Sequence, residues 1–592
     1  MGTMQRKVSF VDRITCMLGK AHARHVYARF VRDAHRAIAV QRRVLLEKLR
    51  RNADSAFGRD FGFAQIRSPE EFRRHVPVMT YEDHQPYIER VKNGEIGAMF
   101  RAGTYVHMFA LTSGTTDQPK YIPVTNYFLA EYRRGWNAFG IKALLDHPHA
   151  ILRKIVQVTS RMDESVTPGG IPCGAITGLM AATQKRLVRK YYVTPECIAR
   201  IDDPAAKYYT IMRLAVPTDV AFCITASPAT QLKLARTADM HRETLIRDVH
   251  DGTLSRTFDV PEEVRTALAP RLQPDPEAAR RLASLVERHG ALLPRHYWNL
   301  GFLANWTGGT MGFYLQDYPR YFGDVPVRDI GLLASEGRIS IPIEDATPAG
   351  ILDVASHYFE FIPRDEKSSA SPITLAAHEL EVGQEYFVLL TTSSGLYRYD
   401  LGDLVRVTGY FGQAPVIEFL SKGAHTSSLA GEKLTEHQVV QAMERASRRL
   451  QIPVPAFTLA ARWAETPYYV LHVDSGDGRD ISEALAAALE QELSAVNLEY
   501  AGKRQSHRLG AVRPNRLPAG FMAEWDLRQA QSRRKGNEQY KHRYLLCRPG
   551  EDAEFPMGAA DGRSASEPER RHGTGPIPVP AAAAPGHRAD GA

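Results

Sequence analysis

Short apolar segments alternate with helical patterns along most of this 592-residue chain, and that alternation limits the available folds more than any other feature. The segments have the length and composition of buried strands, and amphipathic stretches separate several of them. Strands alternating with helices are typical of an α/β architecture. The predicted strands are residues 104–111, 221–225, 327–334, 386–392, 404–408 and 416–420, and a helical pattern covers residues 20–55.

The composition of the sequence changes from apolar to polar after Leu420, which predicts a domain boundary there. A polar, glycine-containing stretch follows, and we expect a hinge at residues 421–423 between a large domain, 1–420, and a small one, 424–547. Residues 548–592 are rich in Pro, Gly and Ala without apolar periodicity, which predicts a disordered tail. The small domain is expected to be α+β, with helices 434–449, 481–497 and 524–533 and strands 456–462, 467–473 and 508–513.

The charge distribution bears on which partners the protein could bind, and the cysteine content on the compartment in which it works. The net charge is +8, and residues 1–50 hold twelve Lys/Arg against three Asp/Glu. A basic amphipathic segment could contact nucleic acid or anionic lipid, but a solvated helix face is the simpler interpretation. No nucleic-acid-binding signature accompanies it. The five cysteines are scattered and form no C-x-x-C pair, which favours a reducing cytoplasm. No apolar run reaches the ~18 residues that a membrane span needs.

The stretch LTSGTTDQPKYIP, residues 111–123, concentrates hydroxyl groups around a glycine directly after a predicted strand. Gly114 permits backbone angles at which successive N–H groups converge on an anion. Lys120 supplies a positive charge that can reach phosphate oxygens. The stretch lacks the spacing of a Walker A loop. It therefore predicts a different phosphate-binding loop, with a ligand-free surface loop as the alternative.

Two further segments, LLASEGRIS (332–340) and GLYRYDLGDLVRVTGY (395–410), complete a set that resembles the three nucleotide motifs of the acyl-adenylating superfamily. The finer resemblance is to the Gretchen Hagen 3 family of acyl acid amido synthetases and covers roughly residues 20–547. Asp117 departs from the pattern, since the superfamily usually has glycine there. The segments that carry the finer resemblance are 76–95, TSGTTDQPKYIPVT (112–125), WTGGTMGFYL (306–315), YFEFIP (358–363), TTSSGLYRYDLGD (391–403), GEKLTE (431–436) and QYK (539–541).

The resemblance implies a fold and a two-step reaction. The expected fold is a large acyl-adenylating domain with a small, mobile C-terminal α+β domain. A small carboxylic acid would attack the α-phosphate of ATP, with Mg²⁺ present, and an amine such as an amino acid would then displace AMP. An acyl-CoA ligase with a thiol acceptor, or a non-catalytic module with this fold, are the alternatives. We expect a cytoplasmic monomer or weak oligomer that neither binds nucleic acid nor inserts into a membrane.

The resemblance also assigns roles to individual residues. Ser335 would contact the α-phosphate or the reacting carboxylate, Glu336 would hold Mg²⁺, and Asp403 would bind the ribose hydroxyls. Lys433 and Lys541 of the small domain would reach the nucleotide and act in catalysis. Tyr397 and Tyr399 share a face if they lie on a strand, and Tyr399 is the candidate nucleotide contact. The other predicted nucleotide contacts are Thr112, Ser113, Gly114, Thr115, Thr116, Lys120 and Ala334.

The acyl pocket is the least determined part of the prediction. We expect it between helices of the large domain and the WTGGTMG segment, with Thr167, Thr177 and Thr310 as candidates. Arg133 or Arg134 could meet a second polar group of the acid, although both fit a solvated helix face equally well.

Overall fold

The computed structural model describes residues 24–112, 119–308, 311–367, 369, 371–423, 426–427, 429–430, 432, 434–464, 466–474, 481–505, 508–532 and 542–557. Several predicted site residues lie outside these ranges, so their roles stay predictions. They are Ser113, Gly114, Thr115, Thr116, Thr310, Lys433 and Lys541, together with Asp117 of the phosphate loop.

The helices and strands of the described residues follow the predicted alternation. The helices are α1 (24–35), α2 (Ala37–Arg51), α3 (Ala56–Asp60), α4 (Pro69–His75), α5 (Tyr81–Lys92), α6 (Asn126–Asp146), α7 (Ile176–Ala182), α8 (Arg186–Arg189), α9 (Pro204–Ala215), α10 (Pro228–Met240), α11 (Arg242–Asp251), α12 (Glu262–Leu268), α13 (Pro276–His289), α14 (Pro294–Tyr297), α15 (Gly312–Leu315), α16 (Tyr318–Phe322), α17 (Glu436–Leu450), α18 (Ser482–Val496), α19 (Leu498–Gln505) and α20 (Phe521–Ser532). The strands are β1 (Val106–Thr112), β2 (Lys120–Thr125), β3 (Lys154–Gln157), β4 (Ser165–Val166), β5 (Pro172–Gly174), β6 (Val220–Ile224), β7 (Phe302–Asn305), β8 (Val327–Asp329), β9 (Leu333–Ala334), β10 (Gly337–Arg338), β11 (Ser340–Ile341), β12 (Gly350–Leu352), β13 (Tyr358–Pro363), β14 (Leu375–Ala376), β15 (Glu385–Thr391), β16 (Tyr399–Phe411), β17 (Ala414–Lys422), β18 (Thr426–Ser427), β19 (Leu434–Thr435), β20 (Ala456–Arg462), β21 (Tyr468–Asp474), β22 (Arg513–Leu517) and β23 (Leu545–Leu546).

A parallel sheet of order β3-β6-β7-β8 forms one layer of the large domain. Its strands are short and apolar because helices cover them: Cys223 and Leu303 share a buried cluster with Tyr209 of α9 and Leu232 of α10. Parallel strands covered by helices are the α/β arrangement that the sequence predicts. The prediction of a mixed α/β fold is confirmed.

A seven-stranded antiparallel sheet, β11-β12-β17-β16-β15-β13-β14, carries the third predicted nucleotide motif on β16, while the other two lie on the separate hairpins β1–β2 and β9–β10. Helix α2 is anchored to the β12–β13 region by Gln41, whose side-chain amide donates to the carbonyls of Val354 (2.6 Å) and His357 (2.7 Å). The Gln41 carbonyl accepts from the backbone N–H of Phe359 at 2.9 Å. A buried polar side chain with all its groups paired fixes the position of a helix on a sheet.

The small domain is a four-stranded sheet of order β22-β21-β20-β23 with helices α17 and α18 against it. Its apolar core includes Leu459 and Leu471 from the sheet with Met443 and Leu489 from the helices. The predicted helices and two of the predicted strands of this unit are present, but the strand predicted at 508–513 is wrong, since β22 begins only at Arg513. The rotation expected of this domain stays a prediction.

Two predicted boundaries differ from the structure. The predicted strand 327–334 is broken into β8 and β9, because Gly331 adopts φ of +86° and its N–H donates to the Asp329 carboxylate at 2.6 Å. The predicted disordered tail begins too early. Residues 548–557 are ordered against the small domain, where Phe555 packs on Trp525 and the Asp552 carboxylate pairs with His472 at 2.7 Å.

The predicted hinge also overlaps regular structure. Ser421 and Lys422 continue strand β17, and the N–H of Gly423 donates to the carbonyl of Gly402 at 2.7 Å. A hinge at this boundary would therefore have to begin after Gly423. Among the described residues, no helix combines the length and apolar composition that crossing a membrane requires.

Candidate nucleotide-binding site

The hairpin of β1 and β2 places Thr112 and Lys120 opposite each other at the two ends of the predicted phosphate loop. Lys120 Nζ donates to the Tyr399 hydroxyl at 3.3 Å and lies 5.4 Å from the centre of the Tyr81 ring. The Tyr81 hydroxyl in turn accepts from the N–H of Tyr121 at 2.8 Å. These contacts direct the Lys120 ammonium from the β1–β2 hairpin toward strand β16, the middle strand of the seven-stranded sheet.

The ASE motif forms the turn of a second hairpin, β9–β10, in which Ala334 pairs with Gly337. Ser335 and Glu336 are therefore the two turn residues, next to each other and at the tip. Gly337 is required behind the turn, because a Cβ there would lie 2.7 Å from the imidazole Nε2 of His357. The backbone of the turn therefore packs directly against the buried His357 ring, which fixes the position of the turn relative to that ring.

Glu336 is buried, with 6% of its surface exposed, although it is a carboxylate. Its Oε1 accepts from the Tyr399 hydroxyl at 3.4 Å. Burial raises the pKa of Glu336, an effect that Lys422 and Lys120 oppose and Asp403 reinforces. A desolvated carboxylate without a direct ion pair in the described structure is poised to gain a cation.

Strand β16 begins with an unusual backbone. Arg398 has φ of +44°, a left-handed conformation that is rare for a residue with a side chain. The conformation is stabilised by backbone bonds from Met79 to Arg398 (3.0 Å) and from Asp400 to Met79 (2.8 Å). It turns Tyr399 toward Glu336, while Tyr397 points to Asn52, which donates to its hydroxyl at 2.8 Å. Tyr397 lies before strand β16, so the shared face expected of two strand residues does not apply, and Tyr397 packs in the aromatic core around Phe57.

Asp403 and Lys422 lie directly opposite each other on β16 and β17. Lys422 Nζ donates to Asp403 Oδ1 at 2.9 Å, and the carboxylate is 4% exposed. Burial lowers the pKa of Lys422, but the Asp403 and Glu336 carboxylates raise it by a larger amount, so its pKa is above the usual value. Lys422 was not among the predicted site residues. From the sequence it was placed only within the predicted hinge, residues 421–423.

The structure therefore brings together four side chains from three motifs, Lys120, Glu336, Tyr399 and Asp403, and adds Lys422 from outside them. Two lysines and two buried carboxylates can bind a polyphosphate and a ribose at once, because the lysines attract phosphate oxygens and a carboxylate accepts from sugar hydroxyls. Thr112, Ala334 and Ser335 lie on the same two hairpins. None of the described residues forms a cluster of three or more His, Cys, Asp or Glu that could hold a metal.

This composition still fits Mg²⁺. Magnesium binds through one or two carboxylates together with substrate phosphates and water, so it needs no protein cage. Glu336 supplies one buried carboxylate, whose pKa is raised by burial.

Of the predicted acyl-pocket residues, Thr167 and Thr177 make hydrogen bonds to nearby backbone, and Thr310 lies outside the described residues. The Thr167 hydroxyl accepts from the N–H of Ile171 at 3.1 Å, and the Thr177 hydroxyl accepts from the N–H of Ser160 at 3.3 Å. Arg133 donates to the carbonyl of Thr183 at 2.9 Å, and Arg134 to that of Ala355. The threonines and both arginines thus contribute to local structure, and the position of the acyl pocket stays a prediction.

Asp329 at the end of β8 holds Thr307 in place. Its carboxylate accepts from the N–H of Thr307 at 2.6 Å, from the Thr307 hydroxyl at 2.8 Å and from the N–H of Gly331. Burial nevertheless raises the pKa of Asp329 from 3.8 to about 6.

The raised pKa of Asp329 predicts a pH dependence of stability. Because the folded-state pKa exceeds the unfolded one, the contribution is fully present below the unfolded pKa and is lost as pH rises through the folded pKa. Between about pH 4.5 and about pH 7.5 the wild type should lose roughly 2 kcal/mol relative to Asp329→Asn. Urea denaturation of both proteins at the two pH values measures this difference. An unchanged difference would mean that Asp329 titrates normally.

Family models match three consecutive parts of the chain. Residues 26–327 match the GH3 family N-terminal domain, residues 350–422 the central domain and residues 437–549 the C-terminal domain. The first of these matches alone covers half of the chain.

Individual relatives match over most of their length. A jasmonoyl–L-amino acid synthetase, JAR6 of Nicotiana attenuata, is 26% identical over 80% of this chain and 85% of its own length. An indole-3-acetic acid-amido synthetase, GH3.8 of Oryza sativa subsp. indica, is 28% identical over 79% of this chain and 81% of its own. Among solved structures, an acyl acid amido synthetase in complex with 2,4-DB superposes with a TM-score of 0.77 at 20% identity, covering 90% of this chain and 95% of that one.

Proposed function

This chain belongs to the GH3 family, and from that membership we propose that it activates a small carboxylic acid with ATP and joins it to an amino acid. It is an acyl acid amido synthetase, a ligase that forms amide bonds. The observation that carries the proposal is the convergence of Lys120, Glu336, Tyr399 and Asp403 from three separate motifs, with Lys422 paired to Asp403.

In the first step a carboxylate oxygen of the acid attacks the α-phosphorus of ATP, the bond from that phosphorus to the bridging oxygen breaks, and pyrophosphate leaves. Lys120 neutralises charge on the departing phosphates, and Ser335 donates to the α-phosphate or orients the attacking carboxylate. Asp403 accepts from the ribose hydroxyls. Lys422 holds the Asp403 carboxylate in place at 2.9 Å, because the two residues are opposite neighbours in the sheet.

Glu336, whose carboxylate accepts from the Tyr399 hydroxyl, is the residue that would hold Mg²⁺. The metal supplies positive charge that stabilises the negative charge on the phosphate oxygens. In the ligand-free protein the Glu336 carboxylate is oriented by the Tyr399 hydroxyl, which in turn accepts from Lys120. These two hydrogen bonds hold the Lys120 ammonium and the Glu336 carboxylate in position before the nucleotide binds.

In the second step an amine attacks the acyl carbonyl carbon, the bond from that carbon to the phosphate oxygen breaks, and AMP leaves while the amine loses a proton to solvent. We propose that the small domain moves between the two steps, so that Lys541 and then other groups face the nucleotide. Both Lys541 and Lys433 lie outside the described residues. Their roles rest on the resemblance of the NEQYK and GEK segments alone.

An experiment with two kinds of acceptor, amino acids and coenzyme A, distinguishes amide formation from thioester formation. The enzyme is incubated with ATP, Mg²⁺ and a panel of acids, once with pooled amino acids and once with coenzyme A, and the products are identified by mass spectrometry. We expect an N-acyl amino acid and no acyl-CoA. Acyl-CoA as the main product would show that this chain acts as a thioester-forming ligase despite its family.

A further inference from the structure

A cavity of about 210 Å³ lies between helix α2 and the first turns of α6. None of Lys120, Glu336, Asp403 or Lys422 lines it, so it is separate from the nucleotide site. Its polar lining comes from Glu47, Lys48 and Arg51 on α2 and from Tyr127, Glu131 and Arg134 on α6, three cations against two carboxylates. The volume is below the ~300–1,000 Å³ of pockets for drug-sized ligands, so a bound molecule would have to be small.

Lys48 forms the floor of this cavity and is 2% exposed. Its ammonium donates to Glu131 Oε1 at 2.7 Å and to the Ser393 hydroxyl at 2.8 Å. Burial lowers the pKa of Lys48, and the nearby charges of Arg51 and Arg134 lower it further, against the opposing effect of Glu131. Three cations therefore repel one another here around one inner carboxylate.

Neither arginine has a carboxylate within 4 Å in the part of the chain that the structure describes. Arg51 stacks on the Tyr127 ring at 4.0 Å and donates to the Ser393 hydroxyl at 3.2 Å. Arg134 donates to the Ser356 hydroxyl at 3.2 Å, but its Nε is buried and finds no hydrogen-bond partner among the described residues. A buried guanidinium N–H without an acceptor is unfavourable unless a ligand supplies one.

The remaining carboxylates nearby do not supply that acceptor. Glu47 lies at the rim, where its exposed side chain approaches Arg43 at 3.9 Å. Asp353 interacts electrostatically with Arg134 from behind, and its carboxylate accepts from the Ser356 hydroxyl at 2.6 Å. The cavity itself keeps an excess of positive charge.

We propose that this cavity binds the phosphate group of a small molecule or free inorganic phosphate, with Arg51 and Arg134 as the direct contacts and Lys48 beneath them. The planar guanidinium groups can each donate two parallel hydrogen bonds to oxygens of a doubly charged phosphate. The site is independent of the proposed ligase reaction.

Isothermal titration calorimetry of the nucleotide-free protein tests the site, with inorganic phosphate in one arm and glycerol phosphate in the other, at constant ionic strength set with chloride. We expect one site whose affinity falls about tenfold or more in Arg134→Gln and in Arg51→Gln, because each loses a charge-assisted pair of bonds. The arm with the tighter binding identifies a free ion or an esterified phosphate as the ligand. Circular dichroism verifies that each variant folds.

Two control variants test whether phosphate binds in this cavity and not elsewhere on the protein. Arg133→Gln changes the neighbouring arginine, which bonds to the Thr183 carbonyl outside the cavity, and should bind phosphate like the wild type. Lys120→Gln removes the lysine of the nucleotide site and should also leave this binding unchanged. The proposal is overturned if neither arm shows binding, or if Lys120→Gln abolishes binding while Arg134→Gln and Arg51→Gln retain it. No substrate of the ligase reaction is present, so a failed ligase assay does not affect the result.

Discussion

Glu336→Gln is expected to lower carboxylate-dependent pyrophosphate release by about 100- to 1,000-fold, the usual loss when one preorganised electrostatic group is removed from a reaction centre. The amide is isosteric with the carboxylate and can still accept from the Tyr399 hydroxyl, which lies 3.4 Å from Oε1. What disappears is the negative charge proposed to hold the metal. The stability of the ligand-free protein should be unchanged or increased, because a buried charge without a direct ion pair in the described structure is removed.

The opposite effects on activity and stability distinguish a functional carboxylate from a structural one. Glu95→Gln is the matched control, since Glu95 is an exposed glutamate paired with Arg90 on the surface. Its replacement should change neither pyrophosphate release nor the urea midpoint appreciably. A Glu336→Gln protein that is destabilised but fully active would assign Glu336 to the fold alone.

Arg398→Met should reduce the free energy of unfolding by about 3–5 kcal/mol, the range for breaking a buried ion pair. Arg398 Nε donates to Glu360 Oε2 at 3.0 Å, and the other nitrogens donate to the Val76 carbonyl at 2.7 Å and the Thr374 hydroxyl at 2.8 Å. Glu360 is 1% exposed, so the variant leaves it with only the partly exposed Arg73 as an ionic partner among the described residues. Because these bonds also hold the left-handed backbone before Tyr399, the affinity for ATP should fall as well.

Urea denaturation of a double-mutant cycle tests this interpretation. Arg398→Met combined with Glu360→Gln should recover part of the lost stability, since the second change removes the unpaired charge. Arg364→Met is the control: Arg364 pairs with Glu385 at 2.7 Å but is more exposed, and its loss should change stability by less than about 1 kcal/mol. Strictly additive effects of Arg398→Met and Glu360→Gln would contradict a direct energetic coupling.

The sequence predicted well where one local pattern determines the structure. Strands β15, β20 and β21 lie within one or two residues of their predicted limits, because each combines apolar, branched or aromatic side chains in a short buried run. The bounds of the 21-residue helix α6 were not predicted, although Arg133 and Arg134 were considered as part of a helix face. Gly135 and Gly140 interrupt its apolar pattern, and Gly135 is needed where a Cβ would lie 2.5 Å from the side chain of Arg338. Such a requirement comes from another element and leaves no local signal.

The candidate site likewise contains residues that the sequence predicted and residues that only the folded structure brings to it. Lys120, Glu336 and Asp403 were predicted from segments resembling a family, and the structure places them around Tyr399 and Lys422. Lys422 could not be predicted, because its pairing with Asp403 arises from the antiparallel register of two strands. The different directions of Tyr397 and Tyr399 depend on one positive φ angle at Arg398, which no residue preference would indicate.

Carboxylate-dependent release of pyrophosphate from ATP and Mg²⁺ tests the central claim most directly. Wild type, Lys120→Ala and Asp403→Ala are compared over a panel of carboxylic acids, and ATP binding is measured in parallel. We predict release by the wild type with at least one acid and its loss in both variants. Failure of the wild type to bind ATP, or equal release by all three proteins, would contradict the assignment of this site.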